Sequence, residues 1–76
     1  MSSWTHEEIA TLSRVQRLPQ TAAEVANTMQ VPTSAAVVEL RLQAMHGYWL
    51  VAPVVGGKWV ATREGERVVN HYLRTR

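Results

Sequence analysis

Two capping boxes determine where the first part of the chain becomes helical. Residues 5–8 read Thr-His-Glu-Glu and residues 21–24 read Thr-Ala-Ala-Glu. In each box the threonine and the glutamate three residues later accept hydrogen bonds from each other's backbone amides, which starts a helix. Pro19 lies between the boxes and disfavours a helical conformation at the residue before it. The sequence therefore predicts two short helices, at about 5–17 and 21–29, rather than one long helix.

A third helix is predicted at about 33–46. Pro32 prevents the second helix from continuing, and either Thr33 or Ser34 can cap the next one. Gly47 is expected to end this helix in the left-handed conformation that glycine adopts at many helix ends. The second and third helices are therefore expected to be joined by a tight turn.

Two strands and a last helix complete the predicted fold. Residues rich in β-branched and aromatic side chains predict strands at about 48–54 and 58–61. Pro53 lacks an amide hydrogen and must lie outside the hydrogen-bonded pairs, which favours a four-residue loop over 55–58. A threonine-capped helix is predicted at about 62–74. The predicted fold is mostly α with a small β-hairpin.

Length and composition fit one domain over residues 1–76. A chain of 76 residues is too short for two separate cores. Although 46% of its residues are apolar, no segment approaches the roughly 18 consecutive apolar residues of a membrane span. No secretion signal is visible, and cysteine is absent. We therefore expect a cytoplasmic protein without disulfides and without a membrane segment.

The sequence gives no support for catalysis. Aspartate and cysteine are absent, and the three histidines are far apart in sequence and lie in unlike settings. No catalytic triad and no metal-ligand spacing is therefore visible. Gly56 and Gly57 lie between two predicted strands rather than before a helix, which disfavours a nucleotide-binding loop. We expect a binding protein with no enzymatic activity, no cofactor, no metal and no evident small-molecule ligand.

The charge balance permits a nucleic-acid partner without requiring one. The formal net charge is only +2, and seven of the eight basic residues are arginine. A dedicated phosphate-binding surface usually carries a denser cluster of lysine and arginine.

The order of the predicted elements resembles the winged helix-turn-helix family, especially small bacterial regulators of the MarR and ArsR kind. The similarity covers about residues 5–73, and it is best at 21–26, which is similar to the family's second helix, and at 56–65, which is similar to its wing and the following helix. Residues 4–8 and 34–42 are also similar to Myb-like DNA-binding repeats. The resemblance implies a transcriptional regulator whose third helix enters the major groove of double-stranded DNA while the wing contacts the backbone.

The resemblance also implies which residues contact DNA. The matching positions are Thr33, Ser34, Val37, Val38, Arg41 and Leu42 on the third helix, with Lys58 in the wing and Arg63 after it. Arg41 could bond a guanine edge or a phosphate. The hydroxyls of Thr33 and Ser34 suit a phosphate, or they are only caps. Arg14 and Arg17 are further candidates for phosphate contacts, or they are only solvated.

One departure from the family bears on the orientation of the third helix. Gln43 stands where the family usually has a buried leucine, so we expect the helix to be rolled. The expected core stripe is then Ala36, Val37, Leu40 and Ala44. The opposite side carries Val38, Leu42 and Met45. These three could contact thymine methyl groups, bind a second copy or another protein, or be covered by the hairpin or the last helix. Trp49 and Trp59 are expected to be structural.

Two functions remain open at this point. The first is a DNA-binding regulator, for which a homodimer would supply affinity that a nearly neutral monomer lacks. The second is a protein-binding adaptor or inhibitor, such as a short phage or plasmid product, which uses the same surface to occupy a partner.

Overall fold

A computed structural model describes residues 4–75, which form four helices and one antiparallel hairpin. The elements in chain order are α1 (His6–Arg17), α2 (Ala22–Thr28), α3 (Ala35–His46), β1 (Val51–Val54), β2 (Lys58–Ala61) and α4 (Arg63–Thr75). The predicted class, mostly α with a small β-hairpin, is confirmed. No helix within residues 4–75 is both long enough and apolar enough to cross a bilayer.

The predicted helix starts are confirmed, because the caps that define them are all present. Thr5 accepts from the Glu8 amide at 3.2 Å, and the Glu8 carboxylate accepts from the Thr5 amide at 2.8 Å. The box at Thr21 has the same two bonds. Ser34, rather than Thr33, caps α3. Each helix begins one or two residues after its predicted start, because the capping residue has an extended rather than a helical backbone.

The end of α3 differs from the prediction. Gly47 has right-handed backbone angles (φ −62°, ψ −21°), and the left-handed residue is Trp49, with φ 65°. The amide of Trp49 donates to the carbonyl of His46, and the Thr62 hydroxyl donates to the carbonyl of Trp49. The Leu50 amide donates to the carbonyl of Met45. Because these backbone groups close the helix end, residues 48–50 form a turn and the first strand begins at residue 51 instead of 48.

The conformation of Trp49 leads to a stability prediction. A left-handed backbone costs a non-glycine residue about 1 kcal/mol, and asparagine tolerates it better than most residues. The Trp49 side chain is 74% exposed, so its removal gives up little buried area. We expect Trp49→Asn to raise the free energy of unfolding by about 0.5 kcal/mol relative to Trp49→Ala, which keeps the backbone penalty. Urea denaturation measures the difference; equal stability of the two variants would show that the left-handed turn is not formed in solution.

The hairpin has a three-residue loop rather than the predicted four-residue one. Val54 pairs with Lys58, and Gly56 and Gly57 take positive φ angles of 85° and 70° between them. Pro53 lies opposite Trp59, whose amide donates to the carbonyl of Gln20 at 2.7 Å instead of to β1. The prediction that the proline lies outside the hydrogen-bonded pairs is therefore confirmed. Since the Gln20 amide also bonds the carbonyl of Trp59, the linker between α1 and α2 is fastened to the free edge of β2.

The core lies between the three N-terminal helices, the base of the hairpin and α4. It contains Leu12, Val15, Ala22, Val25, Val38, Leu42, Met45, Leu50, Val51, Trp59 and Val69. Trp59 is structural as predicted, whereas Trp49 is exposed and that prediction is wrong.

The predicted orientation of α3 is wrong. The buried side chains of this helix are Val38, Leu42 and Met45, each fully buried against the core. The four side chains assigned to the core stripe, Ala36, Val37, Leu40 and Ala44, are exposed. Gln43 is also exposed, so the helix turns it to the surface and Leu42 occupies the inward position instead. Both sides of α3 are apolar, so hydrophobic periodicity alone could not identify the buried one.

Candidate nucleic-acid interface

One side of α3 is buried in the core, and this burial removes three residues from the predicted site. Val38 and Leu42 were expected to contact DNA, and both of them with Met45 were expected to form a candidate protein interface. All three have no exposed surface. The predictions that these side chains contact DNA or a partner protein are therefore wrong, because the rest of the domain covers them.

The side of α3 opposite its buried residues is exposed to solvent and is mostly apolar. We call it the outer face and define it by Ala36, Val37, Leu40, Gln43 and Ala44, which follow helical spacing and are all exposed. Leu40 is 67% exposed and Val37 is 41% exposed. The amide of Gln43 donates to the Glu39 carboxylate at 2.9 Å, beside the face. The outer face thus offers apolar side chains and one amide, with no charged group on it.

The start of α3 carries the two hydroxyls predicted to meet phosphate. Ser34 is exposed and accepts from the amide of Val37 at 3.2 Å. Thr33 donates to the carbonyl of Val31 at 2.8 Å. Both hydroxyls therefore have a local structural use. The helix N-terminus itself lies at the surface, where its amides favour negative charge.

Arg41 lies beside the outer face rather than on it. The residue is partly buried, and its guanidinium Nη1 is buried without a hydrogen-bond partner. Such an atom is costly to bury. Replacing Arg41 therefore changes the packing of the helix as well as the surface charge. Arg41 is a poorer test of DNA contact than its sequence position indicates.

The hairpin projects its tip into solvent beside the second helix. Val55 at the tip is 93% exposed, and Lys58 is exposed at the start of β2. The hydrogen bond from the Thr21 backbone lowers the pKa of Glu24, and the positive charge of Lys58 lowers it further. Lys58 therefore lies near the first turn of α2, where Glu24 partly balances its charge.

The remaining predicted cations fall into two groups. Arg63 and Arg17 are exposed, so their charges are free to meet a phosphate. Arg14 is partly buried, and its Nη2 donates to the carbonyl of Thr28 at 2.9 Å. This bond links α1 to the end of α2, which gives Arg14 a structural role.

No catalytic constellation comes together in the part of the chain that the structure describes. His6 Nδ1 lies 2.9 Å from the Tyr72 hydroxyl, and His46 packs edge-to-face on Trp59. Within residues 4–75 no group of three histidine or acidic side chains could hold a metal ion.

Sequence reasoning missed Leu40, Gln43 and their neighbours as surface residues. The signal that could have found them is Gln43 itself: taken as exposed, it marks the solvent side of the helix and places Leu42 inside.

Comparison with protein-family models, with curated proteins and with solved structures finds no significant match to this chain.

Proposed function

We propose that the chain is a winged helix-turn-helix protein that binds double-stranded DNA, with α3 as the helix in the major groove and the hairpin as the wing. The observation that carries the proposal is the uncovered outer face of α3, which is held on its opposite side by the core. The hairpin that follows α3 in the chain has an exposed tip, where Val55 is 93% exposed. A helix exposed along its length fits the width of the major groove. A regulator of transcription is the expected biological role, in the cytoplasm.

The chemistry of the outer face suits sequences rich in A·T pairs. Aliphatic side chains contact the methyl group of thymine, and Val37 and Leu40 are the largest ones available. Gln43 can exchange its bond to Glu39 for the N6 and N7 atoms of adenine. With no cation on the outer face, guanine is recognised less well.

Contacts to the DNA backbone come from exposed polar groups that lie outside the outer face. The exposed groups available for phosphate are the amides at the start of α3 with Ser34, and the cations Lys58, Arg63 and Arg17. These groups allow about five or six phosphate contacts, so a monomer binds weakly and loses affinity as salt rises. A homodimer would double the contacts.

Titration of a fluorescent A·T-rich duplex tests this proposal. Since three of these contacts are made by cations, fluorescence anisotropy at about 50 and 200 mM salt is expected to show a loss of affinity of roughly fortyfold for a monomer. Lys58→Ala should lower the slope of log affinity against log salt by about 1. Arg74→Ala removes an equal charge from the last turn of α4 and is expected to change it less. Binding that ignores salt, or an equal effect of both variants, would contradict the proposed contacts.

A second function is favoured by one observation, the absence of charge from the outer face. Leu40 is 67% exposed there, and exposed apolar patches often mark protein interfaces. On this alternative the chain is an adaptor or inhibitor that covers a partner protein. No binding to any duplex at low salt, together with a protein partner that is lost on Leu40→Glu, would favour it.

A further inference from the structure

A cleft lies on the domain between α1, α4 and the turn that joins α2 to α3. Its volume is about 310 Å³, which falls in the range of small-molecule sites. Aliphatic side chains form much of its wall, and Ile9, Ala10, Val31, Val69 and Leu73 are among them. The cleft is made by residues far apart in sequence, and the sequence alone indicated no ligand.

The polar groups at the cleft are mostly engaged with the protein itself. The Ser13 hydroxyl donates to the carbonyl of Ala10 at 2.9 Å, and the Thr33 hydroxyl donates to that of Val31. The imidazole of His6 and the Tyr72 hydroxyl are hydrogen-bonded to each other. These groups therefore have less capacity to select a ligand than the two charged residues at the cleft, Glu7 and Arg14.

Arg14 supplies a cation whose charge is not neutralised. Within residues 4–75 the ion pair formed is that of Arg67 with Glu64, and the guanidinium of Arg14 bonds only the neutral carbonyl of Thr28. Its Nε is buried without a hydrogen-bond partner and its Nη2 is held by Thr28, so Nη1 is the nitrogen left to meet an anion. Glu7 lies seven residues earlier on α1, about 10 Å along the helix axis. A second negative charge on a ligand would be repelled there.

From this combination we infer that the cleft binds a small apolar monocarboxylate, with its carboxylate at Arg14 and its hydrocarbon part against Ile9, Val69 and Leu73. The positive charge of Arg14 favours an anionic ligand, and the negative charge of Glu7 disfavours a ligand with a second negative charge. The aliphatic wall favours a ligand whose remaining part is hydrocarbon.

The position of the cleft gives the ligand a regulatory role, which rests on the proposed DNA binding. The cleft is lined by Met29, Gln30, Val31 and Thr33, the turn that ends at the Ser34 cap of α3. A ligand wedged against this turn shifts the start of the helix proposed to enter the groove. Bound carboxylate therefore changes the affinity for duplex.

Octanoate is a suitable probe, with 1-octanol and octylammonium as the neutral and cationic controls of equal length. In amide-resolved NMR titrations of the full chain, octanoate is expected to give saturable shifts confined to the cleft, and to bind about tenfold more tightly than 1-octanol. Arg14→Gln should abolish that difference, while Arg14→Lys should keep most of it. Ala10→Leu fills the cleft and should prevent binding of both. Shifts that do not saturate, octylammonium binding as well as octanoate, or unchanged binding to Ala10→Leu would overturn the site.

The regulatory part is tested separately by repeating the duplex titration with the cleft saturated. Octanoate is expected to change the affinity for duplex about fivefold or more, relative to sodium chloride at the same ionic strength, and to have no effect on Ala10→Leu. An unchanged affinity with octanoate bound would overturn the regulatory role. If no duplex binds at all, the proposed function fails, whereas the NMR titration still decides whether the cleft is a carboxylate site.

Discussion

Gly65→Ala is expected to lower the free energy of unfolding by about 3 kcal/mol, a large share of the roughly 5 kcal/mol that stabilises a domain of this size. A Cβ atom on Gly65 would lie 2.1 Å from the carbonyl oxygen of Leu50 and 3.2 Å from the Leu12 side chain. That carbonyl cannot move freely, because it accepts from the amide of Thr62 at 2.9 Å. The first turn of α4 must therefore move away from the core.

The matched control for this substitution is Gly47→Ala. Gly47 has an ordinary right-handed backbone, and the nearest atom to its added Cβ is the carbonyl oxygen of Ala44, at 3.3 Å. Alanine is also favoured over glycine in a helical backbone, so the net change should stay within about 1 kcal/mol. Urea denaturation of both variants measures the contrast. A Gly65→Ala variant as stable as Gly47→Ala would mean that α4 does not approach Leu50 in this way.

Leu42→Ala is expected to lower the free energy of unfolding by about 3 kcal/mol, whereas Leu40→Ala is expected to lower it by less than about 0.5 kcal/mol. The two leucines are two residues apart on α3, but Leu42 is fully buried and Leu40 is 67% exposed. Truncating Leu42 leaves a cavity in the core, while truncating Leu40 removes a side chain that already meets water. The same pair tests the orientation of the helix, since the rolled arrangement expected from the sequence predicts the opposite order. Denaturation midpoints of the two variants distinguish the arrangements.

Features that depend on neighbouring residues could be predicted from the sequence. The capping boxes at Thr5 and Thr21 join residues three positions apart, so a short stretch of sequence contains the whole interaction. Pro19 likewise acts on the residue before it, and Leu18 has the extended backbone (φ −162°, ψ 158°) that this requires. The number, order and type of the elements follow from such local signals.

Features that depend on distant contacts could not be predicted in the same way. The turn at Trp49 is stabilised by a hydrogen bond from Thr62, thirteen residues later, and no local rule favours a left-handed tryptophan. The burial of Leu42 rather than Leu40 depends on how α3 packs against α1 and α2. The same error affects the predicted DNA contacts. Val38 and Leu42, predicted at the surface, lie in the core, and Leu40, predicted in the core, lies at the surface. The cleft beside Arg14 is formed by α1 and α4, which only the fold brings together.

We propose that the outer face of α3 meets duplex DNA, and the most direct test of this contact places the same negative charge on two different helices. Leu40→Glu adds a negative charge to the outer face, and Leu73→Glu adds one to α4, where the leucine is 55% exposed. In a duplex titration at low salt, we expect Leu40→Glu to weaken binding about a hundredfold, because like charges juxtaposed at an interface cost several kcal/mol. Leu73→Glu is expected to weaken it only a few-fold. Equal affinities for the two variants, both correctly folded, would contradict the claim.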